Sequence, residues 1–220
     1  MSARAADAER NRAARGWTLA ATALVAVACA ARVHNAFAFP PLLDFDGPAH
    51  ALYVYELYEG RLPDWRTWAG FHPPLAYALG AALWHVLPDA VPVHAALRLL
   101  SAAFGLGTAA IVWRVLRRFT SAADAAVVAA CVATAPVFAL ASSMLGNELA
   151  CAFFATAALA RLLGAPDAPR AALRHAIATG LLAAAAALAK STGLAVLAVV
   201  AATYALRVRR AGAGAVTRAF

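Results

Sequence analysis

The chain repeats one pattern: an apolar run of about 15–20 residues with arginine at or beside its end. The runs cover 17–31 (extendable to 39 past Arg32), 97–113, 122–141, 149–163 (extendable back to 144), 171–189 and 193–206, the last able to continue past Leu206. About 20 mostly apolar residues is the length a helix needs to cross the hydrocarbon of a bilayer. The composition fits, at 64% hydrophobic and 14% charged, where soluble domains run at roughly 45–50% and 25%. A disordered chain, a collagen-like fibre and a disulfide scaffold are thereby excluded. Cys29, Cys131 and Cys151 all lie in apolar stretches and read as small core hydrophobes. The net charge of +8 would suit nucleic acid in a soluble protein. Here the arginines flank apolar runs and mark the cytoplasmic ends of membrane helices, so no nucleic-acid partner is expected. Ala28-Cys29-Ala30 has the small residues of a signal-peptide cleavage site, but the spans that follow favour a retained first helix.

The segment 73–87 is apolar but only about 15 residues long, closed by His85 and Pro88. That length suits a buried or interfacial helix better than a span. Charge placement arbitrates. If 73–87 does not cross, the Arg114/Arg117/Arg118 cluster, Arg161, Arg170, Arg174 and the Arg207–Arg210 cluster all fall on one side with the N-terminal leader. If it crosses, the Arg114–Arg118 and Arg207–Arg218 clusters land outside, against the positive-inside bias. The expected fold is therefore all-α, a polytopic membrane helical bundle. It has about six transmembrane helices, with one or two juxtamembrane helices in the first outer loop. Residues 1–16 form a cytoplasmic leader, 17–207 the transmembrane module, and 208–220 a basic cytoplasmic tail or the start of a further C-terminal region. An integral, multi-pass protein of the cytoplasmic (inner) membrane with both termini cytoplasmic is expected.

This topology isolates an outer loop at about 34–96, far longer than a connector needs to be. It holds five of the six histidines, three of the five tryptophans, and Asp44, Asp46, Glu56, Glu59, Asp64 and Asp89 against Arg61 and Arg66. Such a loop is the expected functional region. Within it, 47–59 predicts a surface helix: Val54, Leu57 and Tyr58 share a face, Glu56 and Glu59 point away, and Gly60 fits the position after the C-cap. Asp46 reads as an N-cap before a proline, or as a carboxylate placed to take a proton from an acceptor hydroxyl. Asp44-Phe45-Asp46 also has the form of an oxygen-ligand pair for a divalent metal. The loop histidines lack tight zinc-ligand spacing. In Phe71-His72-Pro73-Pro74-Leu75 the prolines can open the short helix. His72 is then either a plain helix start or a side chain facing a phosphate or sugar.

Four further residues reach the same side. Asn147-Glu148 opens a span, where an acid is electrostatically comfortable with or without a function. Lys190, the one lysine of the chain, ends the fifth span on the outer side; it is either a snorkelling residue or a functional charge. Arg98 opens the second span with the same two readings. Asp46, Glu148, Arg98 and Lys190 thus converge by topology from distant sequence. Acids and cations at an outer boundary suit a phosphate-bearing lipid substrate.

The order of these features resembles the GT-C superfamily of polyprenyl-phosphate-sugar glycosyltransferases, in its protein-mannosyltransferase and aminoarabinose-transferase-like branch. The residues that carry the resemblance are Asp46-Gly47-Pro48-Ala49-His50, His72-Pro73-Pro74-Leu75, Arg98-Leu99, Asn147-Glu148 and Ala189-Lys190-Ser191-Thr192-Gly193. Gly47 stands where the family usually has glutamate. The resemblance implies inverting transfer of a sugar from a polyprenyl-phosphate carrier to an acceptor hydroxyl of a glycan, lipid or protein; no cofactor and no metal-ligand set is expected. Asp46 is implied as the base, with Asp44 sharing that role. His50, His72, Asn147 and Glu148 are implied to contact substrate, and Lys190 or Arg98 the donor phosphate. Members of the group carry eight or more spans, so six spans are expected to be either the N-terminal part of such a fold or a truncated chain inactive alone.

Two other classes compete: a non-catalytic transporter or scaffold with the same fold, and a metal-dependent membrane hydrolase. Transporters carry polar or broken positions within their spans. Here the spans are mostly alanine, leucine and valine, and the polar residues crowd one outer loop, which favours chemistry at the surface.

Overall fold

The computed structural model describes residues 3–40, 43–44, 46–88, 91–164 and 169–217. Their regular structure is entirely helical. Helix α1 covers Ala3–Ala38, α2 Gly47–Tyr58, α3 Leu75–Val86, α4 Val93–Leu116 and α5 Ala122–Thr134. Helix α6 covers Pro136–Ser143, α7 Glu148–Leu162, α8 Pro169–Ala189 and α9 Leu194–Thr217, the last two joined through a single 3₁₀ turn at Ser191–Gly193. The chain is an all-α polytopic bundle, as the apolar runs predict.

Four helices are long and apolar enough to cross a membrane, and the α5–α6 pair makes a fifth span bent by 47°. Helix α7, with 15 residues, is shorter than these, yet it packs between α4 and α8 inside the bundle. The segment 122–141, expected to be one straight span, breaks at Ala135–Pro136. Proline lacks an N–H and crowds the residue before it out of the helical region; Ala135 accordingly sits at φ −54°, ψ 129°. The first expected span also runs longer than the apolar pattern, with helix continuing from Ala3 through the arginine-rich leader.

Arg32, read from sequence as a boundary residue, lies 3% exposed in α1. Its Nη2 donates to the Ala133 carbonyl at 2.6 Å, its Nε to Ser142 Oγ at 3.0 Å, and its Nη1 to Ala28 O in its own helix at 3.1 Å. The break at Pro136 leaves Ala133 O without its usual helical partner. An unpaired carbonyl at membrane depth costs several kcal/mol. Arg32 thus fastens α1 to both halves of the broken span, and Asn35 adds a bond from Nδ2 to Ser143 Oγ at 3.1 Å.

Side-chain contacts fix the directions. Arg98 near the start of α4 meets Phe39 just past α1. Glu148 at the start of α7 meets Lys190 just past α8. Arg207 late in α9 donates to Leu162 O at the end of α7. The five candidate spans and the shorter α7 therefore alternate in direction. Residues 39–40, 44, 46–47, 144–148 and 190 gather at one end of the bundle, and the ends of α4, α7 and α9 at the other.

Helices α2 and α3 cap the first of these ends. They pack on each other through Tyr53, Val54, Tyr77 and Ala81, with Trp84 and Leu97 against the cluster. Helix α3 has 12 residues, which reach about 18 Å at 1.5 Å per residue, well short of a hydrocarbon core near 30 Å. It begins at Leu75 with Pro74 as N-cap, so the two prolines precede the helix instead of forming its first turn. Helix α2 ends as expected: Gly60 has φ +70°, its N–H reaches Leu57 O at 3.1 Å, and the Arg61 N–H reaches Glu56 O at 2.8 Å. That pair of bonds is a Schellman cap, and it needs the left-handed conformation glycine adopts freely.

Candidate active site

Asp46 occupies the N-cap position of α2, yet its side chain makes no capping bond. Its Oδ1 instead accepts the indole N–H of Trp68 at 2.9 Å, across the turns that follow α2. The expectation of a side-chain cap is therefore corrected: the carboxylate turns toward the loop, held by one oxygen. Backbone N–H groups of Ala49 and His50 bond Asp46 O at 3.1 Å each, which fixes the residue at the helix entrance.

Asp44 is 2% exposed, and its Oδ2 accepts the Leu145 N–H, tying the segment before α2 to the one before α7. A Cβ on residue 47 would lie 2.6 Å from the Asp44 carboxyl carbon. Gly47 is thus the residue that lets Asp44 fold over the start of α2. Asp44 Oδ1 has no partner among the described residues. Arg98 is fully buried, donates from Nη1 to Phe39 O at 2.7 Å, and lies 5.4 Å from the Phe39 ring centre. Its Nε and Nη2 also lack partners among the described residues. No hydrogen bond or ion pair joins Arg98 to Glu148 or Lys190 among the described residues.

The other predicted residues do come together. Lys190 Nζ donates to Glu148 Oε1 at 2.5 Å, with Lys190 27% and Glu148 51% exposed at the side chain. His72 lies with its ring 5.7 Å from that of His50, close enough to feel the charges of Lys190, Glu148 and Asp46. His50 is buried, and its Nδ1 shares a 2.8 Å hydrogen bond with the Tyr77 hydroxyl. Tyr77 stacks on Tyr53 at 4.1 Å between ring centres, and Tyr53 donates to the His72 carbonyl at 3.1 Å. Asn147 is 1% exposed, its Nδ2 unpartnered among the described residues. Beneath His50 and Tyr77 a cavity of about 30 Å³, lined also by Ser101, Leu145 and Gly146, has room for about one water.

Sequence reasoning missed Trp68, Tyr77 and Tyr53. Trp68 stood in a loop with nothing to mark its partner 22 residues away. Tyr77 carried a usable signal, since buried tyrosine needs a partner for its hydroxyl and the histidines of the loop supply one.

Both histidines are held in the neutral form. For His50, burial lowers the pKa below the usual imidazole value and His72 adds to this, against the pull of Glu148, Asp46 and Asp44. For His72, burial and then Lys190 lower it, against Glu148 and Asp46. Burial, with Glu148 next, raises the Tyr77 hydroxyl well above its ordinary value, so it stays a neutral donor. Below the ordinary imidazole pKa of 6.5 the unfolded chain binds protons that the folded one refuses. Stability contributed by these rings is therefore full above that value and is lost as pH falls toward the folded pKa. Melting of the protein between pH 7.5 and pH 5 is expected to show this loss, and His50→Gln with His72→Gln to flatten it; an unchanged slope in that double variant contradicts the assignment.

Among the described residues no three His, Cys, Asp or Glu side chains group as a metal site. No curated protein and no solved structure matches the chain. The family described as dolichyl-phosphate-mannose-protein mannosyltransferase matches residues 71–213. The match takes in His72, Arg98, Glu148 and Lys190 and begins after Asp44, Asp46 and His50. It covers well over half of the chain and coincides with α3 to α9, whose helices carry the pair Glu148–Lys190. The chain belongs to this family and is an integral membrane glycosyltransferase of the GT-C type.

Proposed function

We propose that the protein moves a sugar from a polyprenyl-phosphate carrier to an acceptor hydroxyl, with inversion, at the membrane face that carries α2 and α3. The observation behind this reading is the convergence of Asp46, His72, Glu148 and Lys190 at one end of the bundle, from four segments far apart in sequence. In the proposed step the acceptor oxygen attacks the anomeric carbon from the side opposite the phosphate. The bond from that carbon to the phosphate oxygen breaks, and polyprenyl phosphate leaves with the electron pair. Asp46 takes the acceptor proton on the oxygen that Trp68 does not hold. Lys190, the half-buried cation of the cluster, and neutral His72 face the donor phosphate. Glu148 holds Lys190 in place. Asp44 and Arg98 are positioning residues that fix the loop under Asp46, and His50 and Asn147 support the substrate side of the same end.

Trp68, whose indole bonds Asp46, is exposed, as are Trp65 and Phe71 in the same loop. Such rings suit the headgroup level of a bilayer, where amphipathic aromatics collect. The arginine clusters at the far end support a cytoplasmic position for that end and for both termini, in an inner membrane.

The test is the stereochemistry of the product. The anomeric configuration by NMR is expected to be opposite to that of the donor. Retained configuration contradicts direct attack with Asp46 as base.

A further inference from the structure

At the end of the bundle away from Asp46, the ends of α4 and α7 and the first half of α8 line an open cavity of about 340 Å³. Arg114, Arg118, Arg161 and His175 line it, over an apolar floor that includes Ile111 and Leu182. No carboxylate lines it among the described residues. A positive-inside bias and the negative ends of α4 and α7 explain why arginines gather here, but not how these three are disposed. Their neighbours have partners within the protein: Arg207 donates to Leu162 O at 2.9 Å, and Arg117 stacks over Trp113 at 5.3 Å. Arg114, Arg118 and Arg161 make no side-chain hydrogen bond among the described residues, and Arg161 Nε is buried without a partner. Gly164 keeps the space open, since a Cβ there would come to 3.0 Å from Arg118 Nη1. Asp167, in the loop joining α7 to α8, lies outside the described residues; three guanidinium groups against one carboxylate still leave a net positive cavity.

We infer that this cavity binds a phosphate-bearing anion, as the headgroup of an anionic phospholipid or as free phosphate. Planar guanidinium groups match phosphate oxygens in two-point contacts. Converging from two helix ends and a turn, they define a site and not merely a charged rim. Basic pockets between helix ends are where anionic headgroups seat, and the apolar floor accommodates the start of an acyl chain. The inference is independent of the sugar-transfer reading, because it uses none of the residues at the other end.

The experiment is thermal melting of the full chain in nanodiscs of phosphatidylcholine, in the same discs with phosphatidylglycerol added, and in the first discs with inorganic phosphate. Ligand that binds the folded state alone raises the melting point. A rise with phosphatidylglycerol and none with phosphate identifies the headgroup; a rise with phosphate identifies the free anion. Either rise is expected to vanish in Arg114→Gln with Arg161→Gln, and to persist in Arg117→Gln, which changes the charge by one at a residue just past α4 that does not line the cavity. Should the double variant fail to fold, Arg118→Gln, at an exposed position, is expected to reduce the rise. No rise with either anion, or an equal loss in Arg117→Gln, overturns the inference.

Discussion

Asp46→Asn is expected to lower sugar transfer by at least ~10²-fold while leaving insertion and melting unchanged. General-base help is worth about 10²–10⁴-fold when the leaving group is already good, as a lipid phosphate is. The geometry makes the substitution clean. Asparagine keeps a carbonyl oxygen for the Trp68 N–H, and Asp46 makes no side-chain cap that could be lost. What disappears is the proton acceptor. Transfer measured in membranes against a matched wild-type level checks this, and near wild-type activity removes Asp46 from the chemistry.

The second large effect is expected at Asp44, on stability. Asp44→Ala removes the acceptor of the Leu145 N–H and leaves Arg98, fully buried, without its nearby negative charge. Removing one member of a buried charge pair costs about 3–5 kcal/mol, and the orphaned N–H about 1–3 kcal/mol. Because Asp44 and Arg98 are not in direct contact, a total of about 3 kcal/mol is expected in reversible unfolding in detergent. Gly47→Glu, which introduces the residue usual in the wider family, is expected to destabilise in the same direction by pushing Asp44 off Leu145. A stable, inactive Asp44→Ala would instead make Asp44 a reacting group and move the chemistry two residues.

Much of the architecture follows from pattern alone. Apolar run length separates α3 from the spans, and arginine placement sets the order of ends, because both are properties of the chain measured against a bilayer of fixed thickness. Gly60 was legible for a similar reason: a helix end requires a left-handed residue, and the requirement is local. Other features depend on partners far away in sequence. Arg32 resembles any arginine near a span end until the carbonyl of Ala133, 101 residues on, is set beside it. The break at Pro136 was signalled by the proline, but an apolar run of span length reads as one helix unless the cost of a missing N–H is weighed against hydropathy. The pairing of Glu148 with Lys190 lay between these cases. Topology places both at one end of the bundle, while their 2.5 Å contact depends on how α7 packs on α8.

The same distinction governs the site. The residues predicted from sequence divide into two groups in space. Asp46, His72, Glu148 and Lys190 are half-buried or open, around the mouth of the cluster. Asp44, His50, Arg98 and Asn147 are each at most 7% exposed. Burial of this kind is consistent with fixing the loops, and exposure with meeting a substrate. Sequence alone gives both groups the same polarity and the same side of the membrane, and so cannot divide them.

The most direct measurement is release of lipid phosphate. The protein, reconstituted in liposomes with a polyprenyl-phosphate-linked sugar and an acceptor, is predicted to release polyprenyl phosphate in step with glycosylated product. Lys190→Met is predicted to raise the donor KM with a smaller effect on kcat. Transfer that proceeds from a nucleotide sugar, with no lipid phosphate released, would contradict the account.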